Sequence, residues 1–254
     1  MFRRPVPLVA GGALVLALLL TPIALPAASP RWSYAGEQGP ERWGSLDSDF
    51  AACASGHQQS PIDLTAAAPS DLPDPQIAYQ ASAGRIGDTG HGVQVDLEPG
   101  SWLTLDGTPY ALLQFHFHSP SEHTINGSSF PAELHFVHRA ETGALAVVGV
   151  FITVGAENPT VAALLSALPG KVGKEARLAE GVDPAALLPA DRRTYRYAGS
   201  LTTPPCTERV SWLVMASPIQ VSRTQISALA RALHGNSRPV QPRQSRPLVL
   251  DTSP

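Results

Sequence analysis

Two short stretches of this sequence place three imidazoles where one metal ion could take them. In Gln114-Phe115-His116-Phe117-His118 an extended chain sends alternate side chains to one face. Gln114, His116 and His118 then project together, and Phe115 and Phe117 project oppositely. The run Glu133-Leu134-His135-Phe136-Val137 repeats the device, with Glu133, His135 and Val137 on one face and Leu134 and Phe136 on the other. Neighbouring strands built this way would aim His116, His118 and His135 at one point. Three neutral histidines are the donor set of a catalytic zinc site, which leaves its fourth tetrahedral position to water; a structural site is normally closed by four protein ligands. Gln114 and Glu133 share the metal-facing side and can accept the second ring N–H of a ligating histidine. That role explains polar groups that are otherwise costly in a buried strand. His138 is offset by an odd number from His135, so it faces the other way and reads as scaffold, as do His123 and His57. His234 lies near a helix end, where an imidazolium favours the dipole.

Such strands need a sheet to carry them. The chain has 254 residues, 43% apolar and 15% charged, enough for a sizeable core. Its 21 glycines and 25 prolines are scattered between short apolar runs, which suits a sheet protein with many turns. Strands are expected at Gly92 to Leu97, Trp102 to Leu105, Ala111 to His118, Glu133 to Arg139, Ala144 to Val154 and Val210 to Ala216. One helix is expected after Asn158, a good N-cap followed by Pro159, through Leu168, and another from about Arg223 to Leu233, stopping near Gly235. The Pro-rich segment after Arg238 reads as an extended peripheral tail. The pattern predicts a mainly β, single-domain architecture.

The first residues differ in kind. Arg3 and Arg4 precede an apolar run from Leu8 to Leu20, then Pro22, Pro26 and the small residues Ala27, Ala28 and Ser29. This reads as a signal peptide over residues 1–28, with the functional domain over 29–254 and the product exported, the periplasm favoured over full secretion. A retained anchor is the alternative, although the run is short for a span. Without the leader, no stable membrane insertion is expected. The cysteines, Cys53 and Cys206, lack metal or redox spacing and could be bonded to each other in an oxidising compartment or stay as two buried thiols. A formal charge of −3 without basic clusters excludes a polyanion-binding surface, hence nucleic acid as a partner.

Taken in order, the segments resemble the alpha-class carbonic anhydrases across nearly the whole chain after the leader. The likeness runs through Trp32-Ser33-Tyr34, Gly39-Pro40-Glu41-Arg42-Trp43, Gln59-Ser60-Pro61-Ile62-Asp63, Phe115-His116-Phe117-His118, Ser121-Glu122-His123 and Ala132-Glu133-Leu134-His135-Phe136-Val137-His138. It continues in Gly199-Ser200-Leu201-Thr202-Thr203-Pro204-Pro205-Cys206-Thr207-Glu208 and Asn236-Ser237-Arg238-Pro239-Val240-Gln241-Pro242. The resemblance implies a large, twisted, mostly antiparallel central sheet with short peripheral helices. It also implies reversible hydration of carbon dioxide to bicarbonate by zinc-bound hydroxide, with Zn2+ on His116, His118 and His135, supported by Gln114, Glu133 and the Asn236 backbone. By the same likeness Thr202 is a gatekeeping hydroxyl hydrogen-bonded to Glu122, and Thr203 contacts bicarbonate. Val137, Val147, Leu201, Val210 and Trp212 would form the carbon dioxide pocket, although strand residues of this kind are ordinarily core. Cys53 and Cys206 match a disulfide of exported bacterial relatives, among which a homodimer is a common state. His91, otherwise readable as a turn residue between glycines, aligns with the proton shuttle. Thr89 and Gln94 depart from asparagines common in the family, and Ser119-Pro120 replaces Trp-Gly of many animal members. Two rival functions fit part of the pattern: a catalytically silent binding module, which would be expected to lack a zinc histidine, and a different zinc hydrolase, for which ester hydrolysis would dominate.

Overall fold

The computed structural model describes residues 1–2 and 31–252. The proposed leader therefore lies outside the described residues, apart from its first two. No helix among the described residues is long and apolar enough to cross a membrane.

Fifteen strands are found among the described residues: β1 Ala68–Ser70, β2 Gln76–Ala78, β3 Ser82–Asp88, β4 Val93–Leu97, β5 Trp102–Leu105, β6 Thr108–His118, β7 Thr124–Ile125, β8 Ser128–Ser129, β9 Ala132–Ala140, β10 Leu145–Val154, β11 Glu175–Val182, β12 Thr194–Ser200, β13 Glu208–Met215, β14 Ile219–Val221 and β15 Val249–Asp251. All but β7 and β8 belong to one sheet, ordered β1-β15-β12-β13-β10-β9-β6-β4-β3-β11 along its main path. Most neighbours are antiparallel. The parallel pairs are β1 with β15 and β10 with β13 and β14. The expected mainly β fold with a large, mostly antiparallel sheet and short helices is what the chain adopts.

The six strands expected from the sequence lie where they were placed, within a few residues. So do the two longer helices, α3 Pro159–Ala167 and α4 Arg223–Leu233, which follow the short α1 Trp43–Leu46 and α2 Ala52–Ser55. Asn158 caps α3 by accepting the Val161 N–H at 3.1 Å. Ser222 and Gln225 form a reciprocal capping box on α4. Both helices bury their apolar faces, Val161 and Leu164 in one and Leu229 and Leu233 in the other, in the same core as Phe115, Phe117, Leu134 and Phe136. The opposite sheet face carries a second cluster around Val147, Phe151, Val210, Trp212 and Val214.

Other strands carry no clean alternation. β3 has a single large apolar residue, Ile86, and packs instead through backbone: a Cβ on Gly84 would meet the Asp96 carbonyl oxygen at 2.5 Å. β12 buries Arg196 because it pairs with Asp251. The segment after Arg238 is not wholly a peripheral tail as expected, since its end, β15, hydrogen-bonds between β1 and β12.

A bulge in β6 sets up the centre. Leu112 pairs with His138 and Gln114 with Val137, so Leu113 is an extra residue in the ladder. Before it, the even-numbered Tyr110 and Leu112 face the helical core; after it, the odd-numbered Phe115 and Phe117 do. The half-turn of phase frees Gln114, His116 and His118 to face the other way. Deleting Leu113 should remove the bulge and join the two halves in strict alternation, with Leu112 still in the core and Gln114, His116 and His118 still facing away from it. A folded variant that still binds zinc stoichiometrically is the expected result; loss of cooperative unfolding or of zinc binding would refute this account of the register.

His138 gives a second prediction. It is buried on the core side, with Tyr79 Oη 2.7 Å from Nε2 and the Ala146 carbonyl oxygen 3.2 Å from Nδ1. Burial pulls its pKa down from 6.5 to about 4. Between those values the unfolded chain holds more protons than the folded one, so stability falls as pH falls, by about 3 kcal/mol over the whole window from this residue alone. Urea unfolding at pH 7 and pH 4.5 should show a smaller acid loss for His138→Gln than for the unmodified protein.

Candidate metal centre

Three imidazoles converge between β6 and β9. The register sets His116 opposite His135, and the rings of His116, His118 and His135 lie 4.6 to 5.4 Å apart between centroids. One nitrogen of each comes within 4.8 Å of the others. His118 and His135 are buried, and His116 is partly open to a cleft. Each ring's remaining nitrogen is engaged. His116 Nδ1 is 2.8 Å from Gln114 Oε1, His118 Nδ1 is 2.7 Å from the Asn236 carbonyl oxygen, and His135 Nε2 is 2.9 Å from Glu133 Oε1. All three acceptors require the facing ring nitrogen to carry the proton, so the converging nitrogens, Nε2, Nε2 and Nδ1, present lone pairs. Burial lowers all three histidines, His118 to about 4 and His116 well below its ordinary value with help from the neighbouring rings. Neutral donors of this kind suit a metal cation. His118 Nε2 is buried without any hydrogen-bond partner, a rare and costly state for a polar atom that a coordinated cation would relieve.

Glu122 stands beside the centre, its Oε1 3.5 Å from His118 Nδ1 and its Oε2 3.9 Å from His135 Nδ1. The Arg238 N–H donates to Oε1 at 2.8 Å. Burial pushes this carboxyl up to about 7, opposed by His135, by that N–H and by the neighbouring Thr202 side chain. Thr202 is buried and Thr203 partly so, on a loop closed by Leu201 N–H to Thr207 O and Cys206 N–H to Thr203 O. The loop is tied to α2 by the Cys53–Cys206 disulfide, which spans 153 residues of sequence.

A cleft of about 210 Å³ opens over the histidines, with His91, Gln94, Gln114, His116, His118 and Thr203 among its walls. His91 is half-buried there, its ring stacked on Trp32 with centroids 3.7 Å apart and planes 7° apart. Burial lowers its pKa. The two departures beside it are engaged elsewhere: Thr89 accepts the His91 N–H at 3.2 Å, and Gln94 donates to Asp96 at 2.7 Å. Val147, Val210 and Trp212 belong to the second apolar cluster, with Val137 and Leu201 packed against it. The Trp212 ring meets His135 edge-on at 4.9 Å. These five share one apolar cluster, which meets His135 through Trp212, although none of them is among the residues lining the cleft.

Behind Glu133 runs a chain that local sequence does not announce. His123 Nδ1 is 2.7 Å from Glu133 Oε1, His123 Nε2 is 2.7 Å from Tyr197 Oη, and Tyr197 Oη is 2.8 Å from Ser60 Oγ. Ser60 Oγ in turn accepts the Ser200 N–H at 3.0 Å. An ionised carboxylate only accepts, so His123 donates from Nδ1; with a single ring proton its Nε2 accepts, Tyr197 donates to it, and Ser60 donates to Tyr197. The direction of every proton follows from the charge on Glu133. Ser60, after Gln58-Gln59, and Tyr197, after Tyr195-Arg196, stand among polar neighbours, so no local pattern marks either of them.

Residues 38–251 match the family model for eukaryotic-type carbonic anhydrases. A carbonic anhydrase of Nostoc sp. is 43% identical over 231 residues, covering 89% of this chain and 87% of the relative. One of Pectobacterium carotovorum is 39% identical, covering 94% and 99%. Among solved structures, the alpha-carbonic anhydrase of Thermovibrio ammonificans in complex with the inhibitor sulfanilamide superposes with a TM-score of 0.85 at 40% identity, covering 87% of this chain and all of that one.

The directional chain gives this site its own test. Tyr197→Phe leaves His123 Nε2 buried without a donor, and should cost about 1–3 kcal/mol in urea unfolding. Because it loosens Glu133 and hence His135, it should also weaken metal retention against a competing chelator by roughly tenfold. If both quantities stay at their original values, the chain beyond Glu133 does not hold His135.

Proposed function

The chain belongs to the eukaryotic-type, or alpha, carbonic anhydrase family, and from that premise we propose that it interconverts carbon dioxide and bicarbonate at a zinc ion held by His116, His118 and His135. The observation that carries the metal is the buried, unpartnered Nε2 of His118 at the meeting point of three lone pairs. The donor set, three neutral imidazoles with no fourth protein ligand among the described residues, fits zinc with an open position. Carbonic anhydrases are the standing example of what zinc supplies there, Lewis-acid activation of a water molecule as a nucleophile near neutral pH.

The chain's own residues do the rest. Gln114, Glu133 and the Asn236 carbonyl hold the tautomers that aim the lone pairs. Glu122, as an acceptor, takes the Thr202 hydroxyl hydrogen, so the lone pairs of Thr202 turn towards the cleft and can accept a hydrogen bond from the attacking water. That bond fixes which lone pair of the water meets the substrate. A positive charge among the histidines favours the ionised form of Glu122, which this polarity needs. Carbon dioxide, without a dipole, is received by the apolar cluster of Val137, Val147, Leu201, Val210 and Trp212. Thr203, on the cleft wall, contacts bicarbonate. His91 takes the proton that hydration releases; burial keeps its imidazole neutral and ready to accept. Export to an oxidising compartment, the periplasm, agrees with the Cys53–Cys206 bridge and with the leader-like first residues.

The test is stopped-flow carbon dioxide hydration by the protein from about residue 29 onward, as prepared, after chelation and after zinc is restored, with His116→Ala alongside. Fast hydration lost on chelation, regained with zinc and reduced to the buffer background in the variant is expected. A folded, zinc-loaded protein that hydrates no faster than buffer would defeat the proposal and turn attention to a binding role.

A further inference from the structure

His91 borders two cavities. One is the cleft over the histidines. The other, about 240 Å³, lies on the outer side, with Trp32, Asp88, Val172 and His234 among its walls. Trp32, Tyr34 and Gly92 border both as well, so the stacked rings of Trp32 and His91 form part of the partition between them. A volume of that size has room for several waters at about 30 Å³ each.

We propose that His234 is a second proton-accepting residue, which receives the proton from His91 across the outer cavity and delivers it to solvent; this rests on the reading of His91 as the shuttle. His234 is exposed and sits just past the end of α4 in a left-handed conformation, φ 53°, with its N–H donating to Ala230 O at 3.2 Å. Glycine or asparagine is the usual occupant of such a position. An imidazole there puts a second group able to take up and release a proton on the cavity that His91 also borders. The other titratable groups bordering the cavity are Tyr34 and Asp88. Tyr34 is driven far above its ordinary range by burial and takes no proton in the working range. Asp88 accepts the Gly90 N–H at 2.8 Å, and its acidic side chain favours an imidazolium on either side of the cavity.

The transfer balances without a further reactant. Protonated His91 gives a ring proton to cavity water, that water passes a proton to the neutral ring of His234, and His91 is neutral again. Protonated His234 then gives its proton to a buffer base or to bulk water. Trp32, flat against the His91 ring, holds that ring at the partition and is a positioning residue.

Hydration and proton removal are separate steps, which makes the idea measurable. kcat includes proton removal, whereas kcat/KM covers only the steps through release of bicarbonate. The zinc-loaded His234→Asn variant keeps a side chain suited to the left-handed position, and His234→Gly removes the side chain with no backbone strain. In scarce buffer both should lose roughly three- to tenfold in kcat, less than the ~10²–10⁴ carried by a sole general base, because solvent also reaches half-buried His91. kcat/KM should be unchanged, and excess imidazole buffer should restore kcat. Variants that match the unmodified enzyme in scarce buffer overturn the relay. So do variants in which kcat and kcat/KM fall together or that buffer fails to rescue, since those outcomes assign His234 a structural role. Absence of hydration in the unmodified, zinc-loaded protein would instead defeat the function proposed above.

Discussion

The carboxylate of Glu133 has no contact with solvent and accepts four hydrogen bonds, from His135 and His123 side chains and from the N–H groups of Glu122 and His123. A bare charge at that depth would be very costly, and the His123 and His135 side chains keep its pKa well below the carboxylate range despite burial. The consequences spread in both directions. Towards the cleft, the charge makes His135 carry its proton on Nε2 and turn Nδ1 to the other two histidines. Away from it, the same charge orders His123, Tyr197 and Ser60 down to the main chain of Ser200. The two N–H bonds also hold the turn that carries Glu122. One buried charge thus sets a ligand tautomer and the placement of the neighbouring carboxyl together.

Glu133 can do this only because the sheet is polar on one side of two strands and apolar on the other. Phe115, Phe117, Leu134 and Phe136 lock β6 and β9 into the helical core, so their imidazoles have little freedom to turn away. The bulge at Leu113 lets one strand serve the core on both sides of a phase change. A regular strand with the same residues would have to expose Leu112 or bury the site residues among the helices.

How much of this was legible in the sequence depends on range. Alternation within 114–118 and 133–137 announced the histidine set and its two side-chain supports, because both signals are local and have period two. The bulge beside it was invisible, since an extra residue shows only against the partner strand's register. β12 escaped because an ion pair, not an apolar pattern, buries Arg196. The contact of His123 with Tyr197 spans 74 residues and that of Cys53 with Cys206 spans 153. Neither contact leaves a local trace; the bridge was expected from an isolated cysteine pair in an oxidising compartment as well as from the resemblance, and His91 from the resemblance. The carbonyl of Asn236, which orients His118, is a main-chain group and carries no residue-type signal at all.

The loops that complete the site are held by charge and covalent bonds more than by apolar packing. Arg238 is buried and forms no ion pair with a carboxylate among the described residues. Its guanidinium donates to Gln59 Oε1 and to the carbonyl oxygens of Ser60 and Cys53, and lies 5.6 Å from the centre of the Trp43 ring. Burial lowers its pKa to about 10, which still leaves it charged under ordinary conditions. The same residue's N–H positions Glu122, and the segment just before it supplies the Asn236 carbonyl to His118. The Cys53 whose carbonyl Arg238 takes is the one bonded to Cys206 on the Thr202 loop. Three loops distant in sequence therefore share one buried cation and one disulfide. Moving any one of them displaces the groups that orient Glu122, Thr202 and His118, which is why a site with only three metal-facing side chains depends on residues spread from 53 to 238.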